Sequence, residues 1–202
     1  MSTGLQDGVR LSDRAATTRR ALLAAAREVF AREGFAEASV AEVVARAGAS
    51  VGSLYHHFGG KADLYLALFE DYQRLQEDRT AAAVSAARAR GEQDPIALFV
   101  VGAQAYLEGC WTDRDLARIF LDGGGPPGFE LVGRRRYRDW TRRNATLLRT
   151  EHEPFGDALV LVLTTVAAEA GREVAVCEDE KTARRLGAEI LTLIAKIGTP
   201  GS

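Results

Sequence analysis

Apolar residues recur along this chain at helical spacing almost without interruption. Leu22, Leu23, Ala26, Val29 and Phe30 share one face of a helix expected over about residues 18–33, and Gly34 supplies a left-handed stop. Ser39-Val40-Ala41-Glu42 has the form of a capping box, in which Ser39 and Glu42 satisfy the orphan amides at a helix start. Val40, Val43, Val44 and Ala47 then give barely two turns an inward face before Gly48. Ser50 is the expected N-cap of another short helix, with Leu54, Tyr55 and Phe58 inward and Gly59-Gly60 closing it. A long helix follows over about residues 61–89, with Leu64, Leu68, Phe69, Tyr72 and Leu75 in register, and Gly91 ends it.

The remainder repeats longer helices, expected over about residues 95–110, 113–121, 129–150, 154–176 and 180–197. All five prolines separate or begin these segments, and the first 94 residues contain none. Short β-branched alternating runs bounded by turns are absent, so the pattern predicts an all-α protein. The run from Gly123 to Gly128 is a loop between two of the helices. The expected organisation is a flexible N-terminal tail over residues 1–14, a first helical domain over 15–62 and a second helical domain over 63–202.

Two short helices joined by a glycine-containing turn fit a helix-turn-helix, whose second helix enters the DNA major groove. Ala47 and Gly48 keep the turn small enough for a close helix crossing, and Val51, Gly52, Ser53 and His57 suit an outward face better than a core. Such a turn alone occurs in any helical bundle. The specific signal is the whole run Ala47-Gly48-Ala49-Ser50-Val51-Gly52-Ser53-Leu54-Tyr55-His56-His57-Phe58-Gly59-Gly60-Lys61-Ala62-Asp63-Leu64, which closely resembles the signature of the TetR family of transcriptional regulators. Phe30, Gly34, Phe35, Ser39 and Val40 also match that family, so the resemblance covers about residues 17–64, and beyond them it is architectural.

The resemblance implies a DNA-binding domain followed by a ligand-binding and dimerisation domain. It implies phosphate contacts from Ser39, Tyr55, His56 and Lys61, and a base-facing set of Ser50, Val51, Gly52, Ser53 and His57. Val51 departs from a position that is often basic in the family: its side chain can meet a thymine methyl but cannot donate to a phosphate or guanine.

Composition changes this picture little. Of 202 residues, 47% are hydrophobic and 27% charged, as in an ordinary globular protein, and a net charge of −2 excludes a polycation. Through Lys61 there are nevertheless eight basic residues against six acidic ones. Lys61 is the sole lysine of the first 180 residues, and its flexible ammonium suits a phosphate. Two cysteines, Cys110 and Cys177, exclude a disulfide framework and a four-cysteine zinc site, and both are expected as free thiols. No apolar run suits a signal peptide or reaches the roughly 20 residues of a membrane span, which leads to an expected cytoplasmic location. His56 and His57 diverge by about 100° on a helix and cannot easily share one ion, and His152 lacks a spaced partner. No phosphate-binding loop, Gly-x-Ser-x-Gly or metalloprotease motif appears, so no enzyme activity, cofactor or metal is expected.

Large side chains of the second domain, Phe99, Tyr106, Trp111, Phe120, Trp140, Asn144 and Leu147, are candidates to line a small-molecule pocket, with Gln104 and Glu108 as further polar anchors. Plain core packing is the competing reading. Leu159, Val162, Leu163, Val166 and Ala170 form one stripe and Leu186, Ile190, Leu193 and Ile194 another, expected to build a four-helix bundle across a two-fold axis. The arginines 134, 135, 136, 138, 142 and 143 are expected to form a solvated or subunit-facing surface, with Tyr137, Trp140, Asn144 and Leu147 inward. The expected function is a homodimeric repressor that binds a near-palindromic operator and is released by a small-molecule effector. A regulator controlled by a protein partner or lacking an effector, and a helical enzyme or carrier, are the alternatives.

Overall fold

The structure is a computed structural model that describes residues 3–121, 124–148 and 156–198. These form nine helices and no strand: α1 (Thr3–Glu37), α2 (Val40–Ala47), α3 (Val51–Phe58), α4 (Lys61–Ala89), α5 (Pro95–Thr112), α6 (Arg114–Leu121), α7 (Phe129–Leu148), α8 (Gly156–Val176) and α9 (Glu180–Gly198). The all-α class and helix order follow the periodicity. The first helix does not: it begins at Thr3, well before the expected start near residue 18, and comprises two helical pieces meeting at Gly34. Gly34 adopts φ 72°, a conformation open to glycine and strained for other residues, so the expected stop becomes a kink followed by one more turn. His152, Pro154 and Gly123 lie outside the described residues.

Leu22, Ala26, Val29 and Phe30 of α1, Val43 and Val44 of α2, and Leu54 and Phe58 of α3 are buried together with Leu64, Tyr65, Leu68, Phe69 and Tyr72 of α4. The cluster continues into Leu116, Ala117, Ile119 and Phe120 of α6 and Phe129 at the start of α7, so it crosses the boundary expected at residue 62. On α4 the periodic reading placed Leu75 inward, but it is exposed, and the inward positions fall to Tyr65 and Gln76. A second cluster joins α5, α7, α8 and α9 through Phe99, Leu148, Leu163 and Ile194. A third, between α5, α8 and α9, holds Leu107, Cys110, Ala170 and Val174. No described helix is long and apolar enough to cross a membrane.

Candidate nucleic-acid interface

The helix-turn-helix is built by local hydrogen bonds that its own sequence supplies. Ser39 Oγ accepts from the Glu42 amide at 3.2 Å, and Ser50 Oγ accepts from the Ser53 amide at 3.1 Å, so each short helix carries its N-cap. The reciprocal half of the expected capping box is not made. The Glu42 carboxylate instead meets Arg32 and Arg46, and the Arg32 bridge, first through its hydrogen bond, holds that carboxyl below its usual range against a smaller opposing push from desolvation. Gly48 closes α2 at φ 61°, and the amide of Ala49 reaches the Val44 carbonyl at 2.9 Å, which folds the turn tightly enough to set α3 across α2.

α3 divides cleanly into two faces. Leu54 and Phe58 are buried, while Val51, Gly52, Tyr55 and His56 are exposed and Ser53 and His57 lie half-buried between them. Tyr55, expected to contribute to the inward face, is 53% exposed, so its ring and hydroxyl are presented outward. Ser50 and Ser53 share a 3.0 Å hydrogen bond between their hydroxyls at the amino end of α3. The exposed Ser39, at the start of α2, completes the outward set. Of the nine expected DNA-contact residues, Ser39, Ser50, Val51, Gly52, Tyr55 and His56 are exposed, and Ser53, His57 and Lys61 are half-buried.

Lys61 is engaged differently from the expectation. Its ammonium donates to the carbonyls of Phe35, Ala36 and Ala38 at 2.8, 3.0 and 3.0 Å and sits 4.6 Å from the Phe35 ring centroid. All three donors of the ammonium are thus occupied by backbone. These carbonyls lie at or just past the carboxyl end of α1, where no further helical turn supplies amides to them, and Lys61, at the start of α4, supplies the donors. The side chain clamps the end of α1, and through it Ser39 and α2, to the helix that follows α3.

Between the two halves lies an ionic junction that no periodic pattern marked. Arg27 of α1 donates to Asp115 at 2.5 and 2.6 Å and to Asp113 at 3.2 Å, and Arg79 of α4 donates to Asp113 at 2.6 Å. Burial pushes the Asp115 carboxyl up, but the hydrogen bond and charge of Arg27 outweigh it and hold the group below its ordinary value. Nearby, burial pushes the Cys110 thiol up to about 11. Arg27 and Asp115 lie far apart in sequence, and single charged residues in amphipathic helices ordinarily read as solvated.

The seven residues expected to line a ligand pocket fall into different surroundings. Phe99, Trp140 and Leu147 pack in the second core cluster, Asn144 donates to Thr164 Oγ1 at 2.9 Å, and Tyr106 packs against the Trp140 ring. Trp111 and Phe120 line two different clefts. One, of about 560 Å³, includes Trp111, Gln104 and Glu108 between α5 and α9, and the other, of about 820 Å³, has Phe120 among its walls beside α7.

The subunit stripes also need correction. Leu163, Ala170 and Ile194 are buried within the protomer and are core residues, and Leu159, Val166, Leu186 and Ile190 pack partly against that core. Val162 and Leu193 remain exposed, joined by Leu161, Val176 and Ile197, which lie outside the two stripes expected from the spacing. The unpartnered apolar faces of α8 and α9 are thus rotated from those first assigned.

Residues 22–68 match the sequence pattern described as bacterial regulatory proteins, tetR family. The chain is 39% identical over 70 residues to the HTH-type transcriptional repressor AcnR of Corynebacterium glutamicum, a match covering 34% of this chain and 37% of that repressor. The same protein from Corynebacterium efficiens matches to the same extent, so the chain spans little more than a third of the length of these curated relatives. Among solved structures, a transcriptional regulator from Aquifex aeolicus VF5 superposes with a TM-score of 0.71 at 22% identity, covering 89% of this chain and 99% of that one. A TetR-family transcriptional regulator from Pectobacterium atrosepticum superposes at 0.63 with 26% identity, covering 92% and 94%. Each of these relatives is described as a regulator of transcription, none as an enzyme.

Proposed function

We propose that the chain is a TetR-family, homodimeric transcriptional repressor that reads a near-palindromic operator with α3 and releases it when a small molecule binds the second domain, a reading supported by the likeness of residues 22–68 to bacterial regulatory proteins of the tetR family. The observation that carries this reading is the division of α3: Leu54 and Phe58 hold the helix down, while a small, mostly polar strip runs from Val51 and Tyr55 on one flank, over Gly52 and His56, to the half-buried Ser53 and His57 on the other. Such a strip fits a major groove, where Ser and His reach base edges and an apolar Val51 meets a thymine methyl. Ser39, Tyr55 and His56 are the phosphate-side contacts of this proposal, and Lys61 supports them by fixing α2 against α4.

The exposed apolar residues Leu161, Val162, Leu193 and Ile197 support pairing of two copies through α8 and α9. A two-fold dimer presents its two α3 helices roughly 34–36 Å apart, one turn of DNA. Release then requires an effector that binds the DNA-incompatible arrangement more tightly than the compatible one. The AcnR relatives are repressors by name, and repression here rests on that likeness. The test is selection of bound duplexes from a random pool. A two-fold symmetric consensus with half-sites one helical turn apart is the expected result, and no enrichment at moderate salt overturns the proposal.

A further inference from the structure

The cleft beside α7 combines two features that nothing in the DNA-reading function requires. Its apolar wall is Phe120 and Phe129, and its polar side carries Arg134, Tyr137, Arg138 and Arg172. Arg134, Tyr137 and Arg138 lie on one face of α7 by helical spacing, while Arg172 faces them from α8. Neither Arg134 nor Arg138 has an ion-pair partner among the described residues, whereas Arg142 and Arg143, further along the same helix, are paired with Asp139 and Glu77. Arg172 holds Glu169 only loosely, at 3.6 Å between two exposed side chains. Unpaired guanidinium forks beside a carbon surface recognise an anionic headgroup attached to an apolar body. The cleft, at about 820 Å³, is of a size for one such molecule.

The floor of this cleft is also the near end of an aromatic chain that reaches the DNA-binding unit. The Phe120 and Phe129 rings lie 5.3 and 5.1 Å from Tyr65, whose hydroxyl donates to the Ile119 carbonyl at 2.9 Å. Tyr65 in turn meets Phe30 at 5.3 Å and Phe35 at 5.2 Å, and Phe35 is the ring beneath the Lys61 ammonium. A ligand that shifts Phe120 or Phe129 therefore presses on packed rings that end at the clamp holding α2 in place.

We infer that this cleft binds an organic anion, a carboxylate or phosphate monoester carried on an aromatic or alkyl body, and that this anion is the effector of the repressor proposed above. The second part of the inference rests on that functional reading; the site itself does not.

The experiment uses the full chain and two fluorescent probes of similar shape, anionic 8-anilinonaphthalene-1-sulfonate and neutral N-phenyl-1-naphthylamine. Wild-type protein is expected to bind the anion at least roughly tenfold more tightly, and R134Q/R138Q to lose roughly tenfold of that affinity while holding the neutral probe within about twofold. Glu130 is the carboxylate in the cleft wall, so E130Q is expected to strengthen anion binding. Equal binding of the two probes, indifference to R134Q/R138Q, or weakening by E130Q overturns the site. Displacement of the probe by decanoate or by decyl phosphate identifies the headgroup, and displacement by neither overturns the assigned ligand class. Affinity for the selected duplex is measured in the same samples. Loss of duplex binding on adding the displacing anion supports the effector role, and unchanged duplex binding with the site occupied overturns it. A protein that binds no duplex even without anion fails the functional proposal alone, because the fluorescence result still judges the site.

Discussion

The helix-turn-helix and the α7–α8 cleft both hold cations and aromatic rings, and they use the cations in opposite ways. Lys61 spends every donor on three backbone carbonyls over the Phe35 ring. Arg134 and Arg138 stand beside Phe120, Phe129 and Tyr137 with no partner at all among the described residues. An occupied cation holds structure, and an unoccupied one in a cleft awaits a ligand. By position in the sequence alone the assignments come out reversed, with Lys61 as the ligand contact and the arginines as bland surface.

The largest effect belongs to the protein core, where the comparison has least freedom. Leu163→Ala removes a fully buried side chain between α5, α8 and α9 and is expected to lower the unfolding free energy by about 2–5 kcal/mol in denaturant titration. L193E/I197E is expected instead to keep the helical content and halve the mass in sedimentation, since both side chains point outward. A monomeric Leu163→Ala protein of unchanged stability is the result that restores the original stripe.

Next in size is Lys61→Ala. A clamp loses charged hydrogen bonds, so stability falls by about 1.5–3 kcal/mol, and operator affinity drops with the dependence on log salt unaltered. A phosphate contact gives the reverse: stability held, and a salt slope shallower by about 0.9. The two outcomes are separable on one preparation.

Ser50→Ala removes the cap of α3 and is expected to cost about 1 kcal/mol, read as a lower thermal midpoint, and Ser39→Ala a similar amount at α2. The smallest effect is at the ionic junction, where Asp115→Asn is expected to cost under about 1 kcal/mol because the pair is partly exposed. Its sign with pH is fixed. The folded carboxyl titrates below its ordinary 3.8, so its contribution is present above that value and is lost as pH falls through the lower folded one. The difference between wild type and variant is therefore expected above pH 3.8 and should vanish on further acidification, which a midpoint series against pH reads directly.

Local chemistry was legible in the chain, and long-range chemistry was not. Ser39, Gly48, Ser50 and Gly59 act within four residues of themselves, and the structure uses all four as caps or stops where the spacing put them. Glu42 has the residue type for a capping box, yet Arg32, ten positions away, takes its carboxylate. Periodicity identifies apolar helix faces but cannot say whether a face meets the protomer's own core or another molecule. Leu163 and Leu193 were therefore assigned alike, although one is fully buried and the other 55% exposed. Asn144 is polar and inward, as a ligand anchor would be, but Thr164 satisfies it. The junction of Arg27 with Asp113 and Asp115 closes across more than eighty residues, beyond what any window can register.

The central claim is that the outward strip of α3 reads bases. It is tested most directly by measuring the affinities of wild type, Ser53→Ala and His57→Ala for the selected operator and for each of its single-base variants. Each substitution is expected to change the preference at a few symmetry-related base pairs, by about 1–3 kcal/mol of discrimination, and to leave the other positions alone. An equal loss on every duplex would place both side chains on the phosphate backbone and contradict it.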